Sequence, residues 1–449
     1  MADPGAAAQG EDVKEPSGAK QRDRLSERRL QQSKLIRAVW QGALFVLVSL
    51  YLIDLGWSPT AVGVLFSASG LLNALAGWIA GIISDRTSRR AFLLGYEAMI
   101  GLAAAALAFF DAPWLITFAC LLLGFGRSQS GIPAFAAPAE QAWLAQVVDP
   151  SRRGVVFSLN AALGFFGMAA GSLVTSFVPL IGRWLPGVLA YRPYFALVAA
   201  AAALNFFLLK SAEERREVAG EEDAGAGGPA GDTFLLQRGN VPERALRREE
   251  NLIMLKMALI NGLNGVAVGL TSPLLVYWFN LKFGAGPEAL GPVFALTYAA
   301  TGLSSMWTGR LSEQIGIVRA VVTVRLVSVI ALVLVPLMPN FTLASILHVF
   351  RSAFGRGSVG ARRALAVNLV RNSRRGLASS INNMSMTLPH AVGPSIAGVF
   401  LDAGQLALPF FLAAAVQFLY GTFYGAAFQR YEQVPRGDGA KGEERSAAP

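Results

Sequence analysis

The ten residues from Gly81 to Arg90, Gly-Ile-Ile-Ser-Asp-Arg-Thr-Ser-Arg-Arg, separate two long apolar segments of the chain. They place one acid, Asp85, and three arginines, Arg86, Arg89 and Arg90, in a turn that is too short to be a domain. A charged turn between two hydrophobic helices is typical of membrane proteins. This stretch, called the signature loop below, therefore predicts a helical membrane protein.

The overall composition also indicates a membrane protein. Of the 449 residues, 53% are hydrophobic and only 15% are charged, whereas about a quarter of the residues of an average soluble protein are charged. A helix needs about 20 apolar residues to cross a bilayer. Twelve segments meet this requirement, so we expect an all-α membrane protein with twelve transmembrane helices, near 36–55, 60–84, 91–110, 114–138, 154–178, 190–209, 252–279, 288–310, 317–338, 341–364, 376–401 and 406–428.

The positive charges are distributed unevenly between the two sides that these spans define. The chain has 39 lysines and arginines and a formal net charge of +10. If both termini are cytoplasmic, only Arg183, Arg192 and Lys282 fall in outer loops, and most of the others fall in cytoplasmic segments. This asymmetry is the usual topology signal of multi-pass membrane proteins. It favours a plasma-membrane (cell inner-membrane) protein with cytoplasmic termini over a nucleic-acid-binding protein.

Polar segments divide the chain into two membrane domains. Residues 1–33 lack the apolar core of a cleaved signal peptide, so they are predicted to be a disordered cytoplasmic tail. The two six-helix bundles are expected at 34–210 and 251–430. Between them, 211–250 is predicted to be a flexible cytoplasmic linker, and 431–449 a second cytoplasmic tail.

The six spans before the linker are repeated in the six that follow it. The pattern Gly-Arg-x-x-x-Gly begins at Gly126 and again at Gly355, and Ser-Arg-Arg-Gly occurs at 151–154 and again at 373–376. The spacing between the copies is 229 residues for the first pattern and 222 for the second. The surplus falls at 131–142, which contains two prolines, so the inner end of the fourth helix is expected to be longer and kinked.

The signature loop resembles the conserved loop between the second and third helices of the major facilitator superfamily, usually written G-x-x-x-D-R-x-G-R-R. Ser88 stands where the family usually has glycine, and the matching positions are Gly81, Asp85, Arg86, Arg89 and Arg90. The resemblance extends from Leu35 to Gln429. It implies two parallel six-helix bundles that face each other across a cavity, and a transporter that moves a small molecule by alternating access.

The resemblance further implies a gate on the cytoplasmic side. Asp85 is expected against the start of the eleventh helix near Gly376, because a helix N-terminus attracts negative charge. Its repeat partner, Glu313, is expected near Gly154 at the start of the fifth helix. The complete predicted cytoplasmic gate consists of Gly81, Asp85, Arg86, Arg89, Arg90, Glu140, Gly309 and Glu313.

Three further charged residues are assigned to gates. Glu140, at the inner end of the fourth span, is expected within reach of Arg86 or Arg90. Asp54 and Lys282 occupy matching outer ends of the first and seventh spans. They are predicted to form an outer gate pair, and the alternative is two unrelated interfacial charges.

Polar residues inside the spans are the candidates for substrate binding or proton coupling. An arginine in mid-span costs at least about 2.5 kcal/mol on insertion scales, so it normally faces a cavity or a partner. Glu97 is a coupling candidate because desolvation favours its neutral form, and a structural ion pair is the alternative. Asn160 and Asn382 offer amides either to a substrate or to helix packing, and His390 is either proton-linked or a packing histidine. The complete set is Arg127, Arg351, Arg356, Glu97, Asn160, Asn382 and His390.

The charges of the spans favour an anionic substrate. Arg127, Lys256, Arg325, Arg351 and Arg356 outnumber the acids within the spans. Cations in a cavity of low dielectric constant attract an anion strongly. The expected function is therefore secondary active transport, coupled to protons, of an anionic or carboxylate-bearing small molecule.

Two alternatives are open. One is a proton-coupled multidrug exporter of amphiphilic compounds, because Gly164, Gly167 and Gly171 resemble the glycine row of the antiporter motif, although its Gly-Pro pair is missing. The other, from a different class, is a non-transporting sensor or scaffold. The chain has no phosphate loop of the G-x-x-x-x-G-K type, no metal-ligand cluster and no convergent catalytic set, so neither an enzyme nor a cofactor is expected. The expected partners are a small molecule, protons and the bilayer, and the expected state is a monomer.

Overall fold

The computed structural model describes residues 17–86, 88–126, 136–149, 152–214, 243–315, 317–357 and 374–429. Within these ranges it leaves out the side chains at 17–20, 77–86, 153–154, 243, 305–315, 317, 356–357, 375–376 and 379. The described residues are almost entirely helical, and none of them lies in a β-strand. The all-α fold expected from the sequence is confirmed.

The described helices follow the twelve predicted spans. The first half of the chain contains α1 (Ser17–Asp54), α2 (Pro59–Arg86), α3 (Arg89–Phe109), α4 (Pro113–Leu123), α5 (Ala137–Val147), α6 (Arg153–Val174), α7 (Val178–Gly182) and α8 (Arg192–Ser211). The second half contains α9 (Glu243–Thr271), α10 (Leu275–Phe283), α11 (Pro287–Ile315), α12 (Ile317–Leu334), α13 (Phe341–Gly357), α14 (Arg375–Asp402) and α15 (Leu408–Phe428). Each predicted span contains at least one of these helices. Within the described chain, 8 helical segments are long and apolar enough to cross a membrane.

The first helix is longer than a membrane crossing requires. Its 38 residues extend over about 57 Å at 1.5 Å per residue, whereas the hydrocarbon core of a bilayer is about 30 Å thick. The expectation of a disordered tail is therefore wrong for residues 17–33, which are helical, and residues 1–16 lie outside the described chain. Ser26, Leu30 and Ser33 are buried against the rest of the bundle. This burial stabilises a helix that composition alone did not predict.

The expected linker is also shorter than the sequence suggested. α8 continues to Ser211, and α9 begins at Glu243, inside the segment 211–250. Both ends of this segment are thus part of the helical fold. Residues 215–242 lie outside the described chain.

Each half of the chain forms one bundle, and the two bundles repeat the same packing. In the first, α1 packs along α6 and α3 along α8. In the second, α9 packs along α14 and α12 along α15. These helix pairs correspond to each other in the internal repeat. The bundles meet along a seam in which α2 contacts α14 and α6 contacts α11.

The molecule has two distinct ends. One end, called the loop end, has the short connections 55–58, 110–112, 284–286 and 403–407. The opposite end, called the terminal end, has the start of α1, the end of α8 and the end of α15. The signature loop lies at the terminal end.

Glycines bring the backbones of the paired helices into direct contact. An added Cβ at Gly171 of α6 would lie 1.7 Å from the carbonyl oxygen of Val39 in α1. An added Cβ at Gly393 of α14 would lie 2.2 Å from the carbonyl carbon of Gly269 in α9. No side chain fits at either position, so small residues are what allow these helices to pack closely. In this structure Gly171 of the glycine row therefore serves helix packing.

The fourth span is broken, whereas the sequence predicts a long, kinked helix. α4 ends at Leu123, and Gly124 and Gly126 follow with φ of 73° and 76°. These angles lie in the left-handed region that glycine adopts readily and other residues avoid. Residues 127–135 lie outside the described chain, and the next described helix, α5, begins at Ala137.

The break releases carbonyl groups that lipid cannot hydrogen-bond. Side chains of α2 and α3 donate hydrogen bonds to three carbonyl oxygens in the last turn of α4: Ser69 to Cys120, Asn73 to Leu121 (3.2 Å) and Tyr96 to Leu123 (3.1 Å). The break is therefore stabilised by polar residues placed opposite it.

Candidate functional site

A buried charged cluster lies between α1, α3 and α5 of the first bundle. Arg37 donates hydrogen bonds from Nε (2.8 Å) and Nη2 (2.6 Å) to Oε1 of Glu97, and from Nη1 to Oε2 of Glu140. The three side chains are at most 3% exposed. Lys34, one turn before Arg37, is also buried and lies in the field of Glu140. Two bases and two acids thus balance one another in a site with almost no exposed surface.

The hydrogen bonding of this cluster is incomplete on the carboxylate side. Within the described chain, Oε1 of Glu140 accepts no hydrogen bond, and Oε2 of Glu97 makes no bond to Arg37. Asn205 of α8 is buried beside Glu97. Removing one partner of a buried ion pair leaves an uncompensated charge, which is far more costly than an exposed one. A proton gained or lost here would therefore change the packing energy of several helices together.

The structure pairs Glu97 with a residue that the sequence analysis did not single out. The repeat counterpart of Glu97 is Arg325 in α12, whose guanidinium carbon lies 5.4 Å from the ring centre of Tyr420. The two bundles therefore differ at this position. A signal for Arg37 was present in the sequence, because Lys34 and Arg37 lie on one helix face at the start of an apolar span and require acids nearby.

Glu140 requires a correction. The sequence predicts it at the cytoplasmic gate, within reach of Arg86 or Arg90, but its carboxylate points into the bundle and binds Arg37. Arg90 instead donates to the carbonyl oxygen of Lys210 at the end of α8. The reason is the break in the fourth span, because α5 starts a new helix whose first turn directs Glu140 inward.

The end of the signature loop is fixed by an acid that follows α8. The hydroxyl of Ser88 accepts a hydrogen bond of 3.2 Å from the backbone N–H of Ala91, so Ser88 is the N-cap of α3, a position that serine favours. Its φ of −83° requires no glycine. The carboxylate of Glu214 accepts hydrogen bonds from the backbone N–H groups of Arg89 (2.9 Å) and Arg90 (3.0 Å) and from the hydroxyl of Ser88. No sequence pattern predicts this contact.

Several predicted site residues lie outside the described side chains or outside the described chain. The latch between the signature acid and the eleventh helix, and the mid-span positions of the two Gly-Arg patterns, therefore stay predictions. The residues concerned are Gly81, Asp85, Arg86, Arg127, Gly309, Glu313 and Arg356.

Arg351 lies in a buried polar and aromatic region of the second bundle. It is 9% exposed on α13, and His348 lies one turn before it on the same helix. The His348 ring is 6.0 Å from that of Phe279 in α10 and 5.7 Å from that of Phe294 in α11. The contribution of Arg351 to substrate binding stays a prediction.

The polar candidates of the fifth and eleventh spans have different surroundings. Asn382 in α14 accepts a hydrogen bond of 2.6 Å from Asn261 in α9, which joins two helices of one bundle. His390 is half-buried, and its carbonyl oxygen would lie 2.5 Å from a Cβ at Gly269, so its backbone packs against α9. Asn160 in α6 is 5% exposed, and its Oδ1 accepts no hydrogen bond within the described chain. Of these three candidates, Asn160 is the one whose buried amide oxygen has no hydrogen-bond donor within the described chain.

The predicted outer gate pair is not formed in this structure. Asp54 accepts a hydrogen bond of 2.6 Å from the hydroxyl of Tyr191. Lys282 donates to the carbonyl oxygen of Pro336, and its Nζ lies 5.4 Å from the ring centre of Trp278. Each charge is thus satisfied by partners in its own half of the chain, and the expectation of a direct ion pair is corrected.

Other residues close the seam at the loop end. An added Cβ at Gly63 of α2 would lie 2.4 Å from the carbonyl oxygen of Pro394 in α14, so the two backbones are in contact. Hydrogen bonds cross between the halves at this end from the Thr60 hydroxyl to Asp402 (2.6 Å), from the Tyr277 hydroxyl to the Trp57 carbonyl (2.7 Å) and from the Ser395 N–H to the Ser67 hydroxyl (2.9 Å).

Two ion pairs at the terminal end occupy equivalent places in the repeat. Arg374, before α14, is 2.9 Å from Glu250 of α9, whose side chain is fully buried. Arg152, before α6, is 3.6 Å from Glu27 of α1 and is largely exposed. Each pair links the two helices that pack most closely within its bundle.

A duplicated six-span unit that forms two helical bundles joined along a seam is the architecture of a multi-pass membrane transporter. The chain belongs to the Major Facilitator Superfamily, whose family model matches residues 35–256 and 257–449.

Two curated relatives illustrate how the chain resembles known proteins. It is 23% identical over 404 residues to YJR124C, described as an uncharacterized membrane protein of Saccharomyces cerevisiae, covering 86% of this chain and 90% of that protein. It is 28% identical over 142 residues to the multidrug resistance protein MdtH of Escherichia coli O1:K1 / APEC. That match covers 31% of this chain and only 32% of MdtH.

Two solved structures share the fold. The nucleoside transporter NupG, in a mutant form, has a TM-score of 0.67 at 13% identity, covering 90% of this chain and 100% of that one. A bacterial homologue of the human lysosomal transporter Spinster, in an inward-facing and unoccupied conformation, also has a TM-score of 0.67, at 14% identity, covering 94% of this chain and 100% of that one. At such identities the likeness concerns the fold alone.

Proposed function

We propose that this protein is a secondary active transporter that moves a small molecule by alternating access between its two bundles. The observation that carries the proposal is the seam at the loop end, where Gly63 meets Pro394 and Thr60 bonds Asp402 across the two halves. The seam joins two preformed bundles through glycine contacts and hydrogen bonds between polar groups, so the bundles can separate as rigid bodies without unfolding. The protein is then closed at the loop end and binds its substrate from the terminal end. The inward-facing Spinster homologue, which has the same fold, supports this reading.

The substrate class that we propose is an anionic or carboxylate-bearing small molecule. Support comes from the basic residues of the spans, of which Arg351 is the described example at 9% exposure. The acids of the charged cluster do not cancel this excess, because Glu97 and Glu140 are already paired with Arg37. The distribution of basic residues also supports a cytoplasmic terminal end in the plasma membrane.

We further propose that transport is coupled to protons. The coupling candidate is Glu97, because its carboxylate is fully buried and is bound by Arg37, with the amide of Asn205 beside it. A proton on this carboxylate would weaken its bond to Arg37. The side-chain link between α1 and α3 would then depend on the proton gradient.

Transport by purified protein in proteoliposomes tests the proposal. The vesicles would contain an internal pH dye and be challenged with radiolabelled di- and tricarboxylates, and separately with amphiphilic cations. The proposal predicts carboxylate uptake together with proton flux, and loss of both in Arg351→Gln with partial retention in Arg351→Lys. Glu97→Gln should abolish uptake driven by a pH gradient while carboxylate exchange at equal pH persists. Proton flux with cations only would contradict the anionic substrate.

A multidrug exporter is the second candidate, and the local likeness to MdtH favours it. The likeness covers about a third of each chain, so it supports this candidate only weakly. In the same vesicles an exporter would exchange amphiphilic cations for protons and would not transport the carboxylates.

A further inference from the structure

A groove on the outer surface of the second bundle lies outside the site described above. It lies at the terminal end, between the start of α12 and the end of α15, and has a volume of about 440 Å³. Its walls are apolar and its rim is polar, with the lining residues Val318, Arg319, Val322, Thr323, Gly425 and Gln429. Gly425 opens the groove because it presents no side chain towards Val322.

The face of α12 at this groove changes from polar to apolar along the helix. Arg319 and Thr323 are exposed at the terminal end. One and two turns further on, Leu326 and Ile330 are exposed on the same face at 36% and 63%, because residues about 3.6 apart share a helix face. A charged rim followed by an apolar stripe matches the polarity of a phospholipid with its headgroup at the terminal end.

The internal repeat shows what kind of group belongs at this place. Arg319 ends the degenerate copy of the signature loop, 309–319, one residue beyond the position that matches Arg90. In the first half, the position between the start of α3 and the end of α8 is filled by the carboxylate of Glu214. The equivalent position in the second half is the groove, lined by Arg319 and Gln429. Glu214 is held there by the backbone N–H groups at the start of α3, not by an arginine side chain. In the second half the start of α12 has the same partial positive charge, and the exposed Arg319 adds to it, so the repeat favours a negatively charged occupant.

We propose that this groove binds an anionic phospholipid of the leaflet at the terminal end. Its phosphate contacts Arg319, and Gln429 and Thr323 supply polar groups for the rest of the headgroup. One acyl chain lies over Val322 and Gly425 and continues along the stripe formed by Leu326 and Ile330. Basic pockets between transmembrane helices on the cytoplasmic side are suited to anionic headgroups. This site is independent of the transported substrate.

Native mass spectrometry of the full-length protein with phosphatidylglycerol tests the proposal. Phosphatidylglycerol should bind more tightly than phosphatidylethanolamine, and Arg319→Gln should weaken its binding roughly fivefold while Arg319→Lys retains most of it. Gly425→Leu should also abolish lipid binding, because its side chain fills the groove. Gly95→Leu on α3 is the matched control, since Gly95 is exposed and an added Cβ there meets nothing within 4 Å.

Four results would overturn the proposal. The first is equal binding of the two lipids, and the second is unchanged phosphatidylglycerol binding in both Arg319→Gln and Gly425→Leu. The third is inorganic phosphate that binds wild type and Gly425→Leu alike and displaces the lipid, because the site would then be one for free phosphate. The fourth is lipid binding that appears only after Glu432, the first acidic residue after α15, is replaced by Gln. That result would mean that the chain's own tail, and not a lipid, is the occupant of the groove in the wild-type protein. Unchanged thermal unfolding of each variant confirms that the protein is folded.

Discussion

Arg37 is the residue on which the charge balance of the first bundle depends. It binds two carboxylates from two other helices, and all three side chains are at most 3% exposed. With Lys34 the cluster contains two positive and two negative groups. Replacing one charged residue of the cluster by a neutral one therefore leaves a buried net charge. Replacing one base and one acid together does not.

Arg37→Met should destabilise the protein by about 3 to 5 kcal/mol, because it leaves an uncompensated carboxylate in the bundle. The double variant Arg37→Met/Glu97→Gln should recover most of this loss, since Lys34 and Glu140 then balance each other. Thermal unfolding in detergent measures both, with the exposed Arg183→Gln as control. If the double variant were as unstable as the single one, charge balance would not explain the role of Arg37.

The two repeat-related ion pairs should differ in strength because their burial differs. Arg374→Gln removes the guanidinium that contacts the fully buried Glu250 carboxylate and should cost about 1 to 3 kcal/mol. Arg152→Gln removes a loose pair of 3.6 Å at the surface and should stay within about 0.5 kcal/mol. The free energies of unfolding of the two variants, measured under the same conditions, test this prediction. Equal losses of stability would contradict it.

At the residue scale, the sequence identified important side chains more reliably than it identified their partners. The deep acid Glu97 was recognisable from its position in an apolar span, but its partner Arg37 lies 60 residues away. Glu140 was assigned to the gate because the fourth span looked continuous, and the break that turns it inward was invisible in the hydropathy. Partner choice depends on helix rotation, which the sequence pattern does not determine.

At the scale of elements, Glu214 joins the end of α8 to the start of α3. Glu214→Ala should accelerate hydrogen exchange of the Arg89 and Arg90 amides, with a local loss of about 1 kcal/mol, because a charged cap is removed. Glu213→Ala is the matched control, since its contact with Arg22 is a surface pair of 3.6 Å. Hydrogen–deuterium exchange mass spectrometry measures this effect. Equal exchange rates of the Arg89 and Arg90 amides in the two variants would contradict the role of Glu214 as a cap.

The α1–α6 pair depends on the absence of a side chain at Gly171. Gly171→Ala should lower the free energy of unfolding by about 1 to 3 kcal/mol, because its Cβ would overlap the Val39 carbonyl and force the helices apart. Gly95→Ala, where an added Cβ meets nothing within 4 Å, should be neutral or slightly stabilising. A Gly171→Ala protein with the unfolding midpoint of wild type would show that the helices can shift at little cost.

Hydropathy predicted the helices well and their interruptions poorly. The spans were recognisable because lipid imposes long apolar runs. The break at Gly124 depends instead on Asn73 and Tyr96, which satisfy the released carbonyls from other helices. The helical extension before Lys34 likewise depends on burial against its neighbours, which composition does not report.

At the scale of the whole molecule, the internal repeat carried the most information. It predicted the two bundles and the pairing of equivalent helices. It did not reveal that the first half contains the cluster around Arg37 or that the second half leaves a groove at Arg319, because these are places where the two copies have diverged.

The central claim is that the two bundles separate at the loop end. Pulsed electron–electron double resonance in nanodiscs measures the distance across the seam between spin labels at Val64 of α2 and Val399 of α14. Both positions are exposed at about half their surface. A pair within the first bundle, at Leu102 and Leu204, serves as the control, and Cys120→Ala removes the native thiol.

The account predicts two distances between Val64 and Val399, one short as in this structure and one longer. The longer distance should gain population when Thr60→Ala and Asp402→Ala remove the hydrogen bond across the seam, while the control pair stays unchanged. A single short distance that these substitutions do not alter would contradict the account.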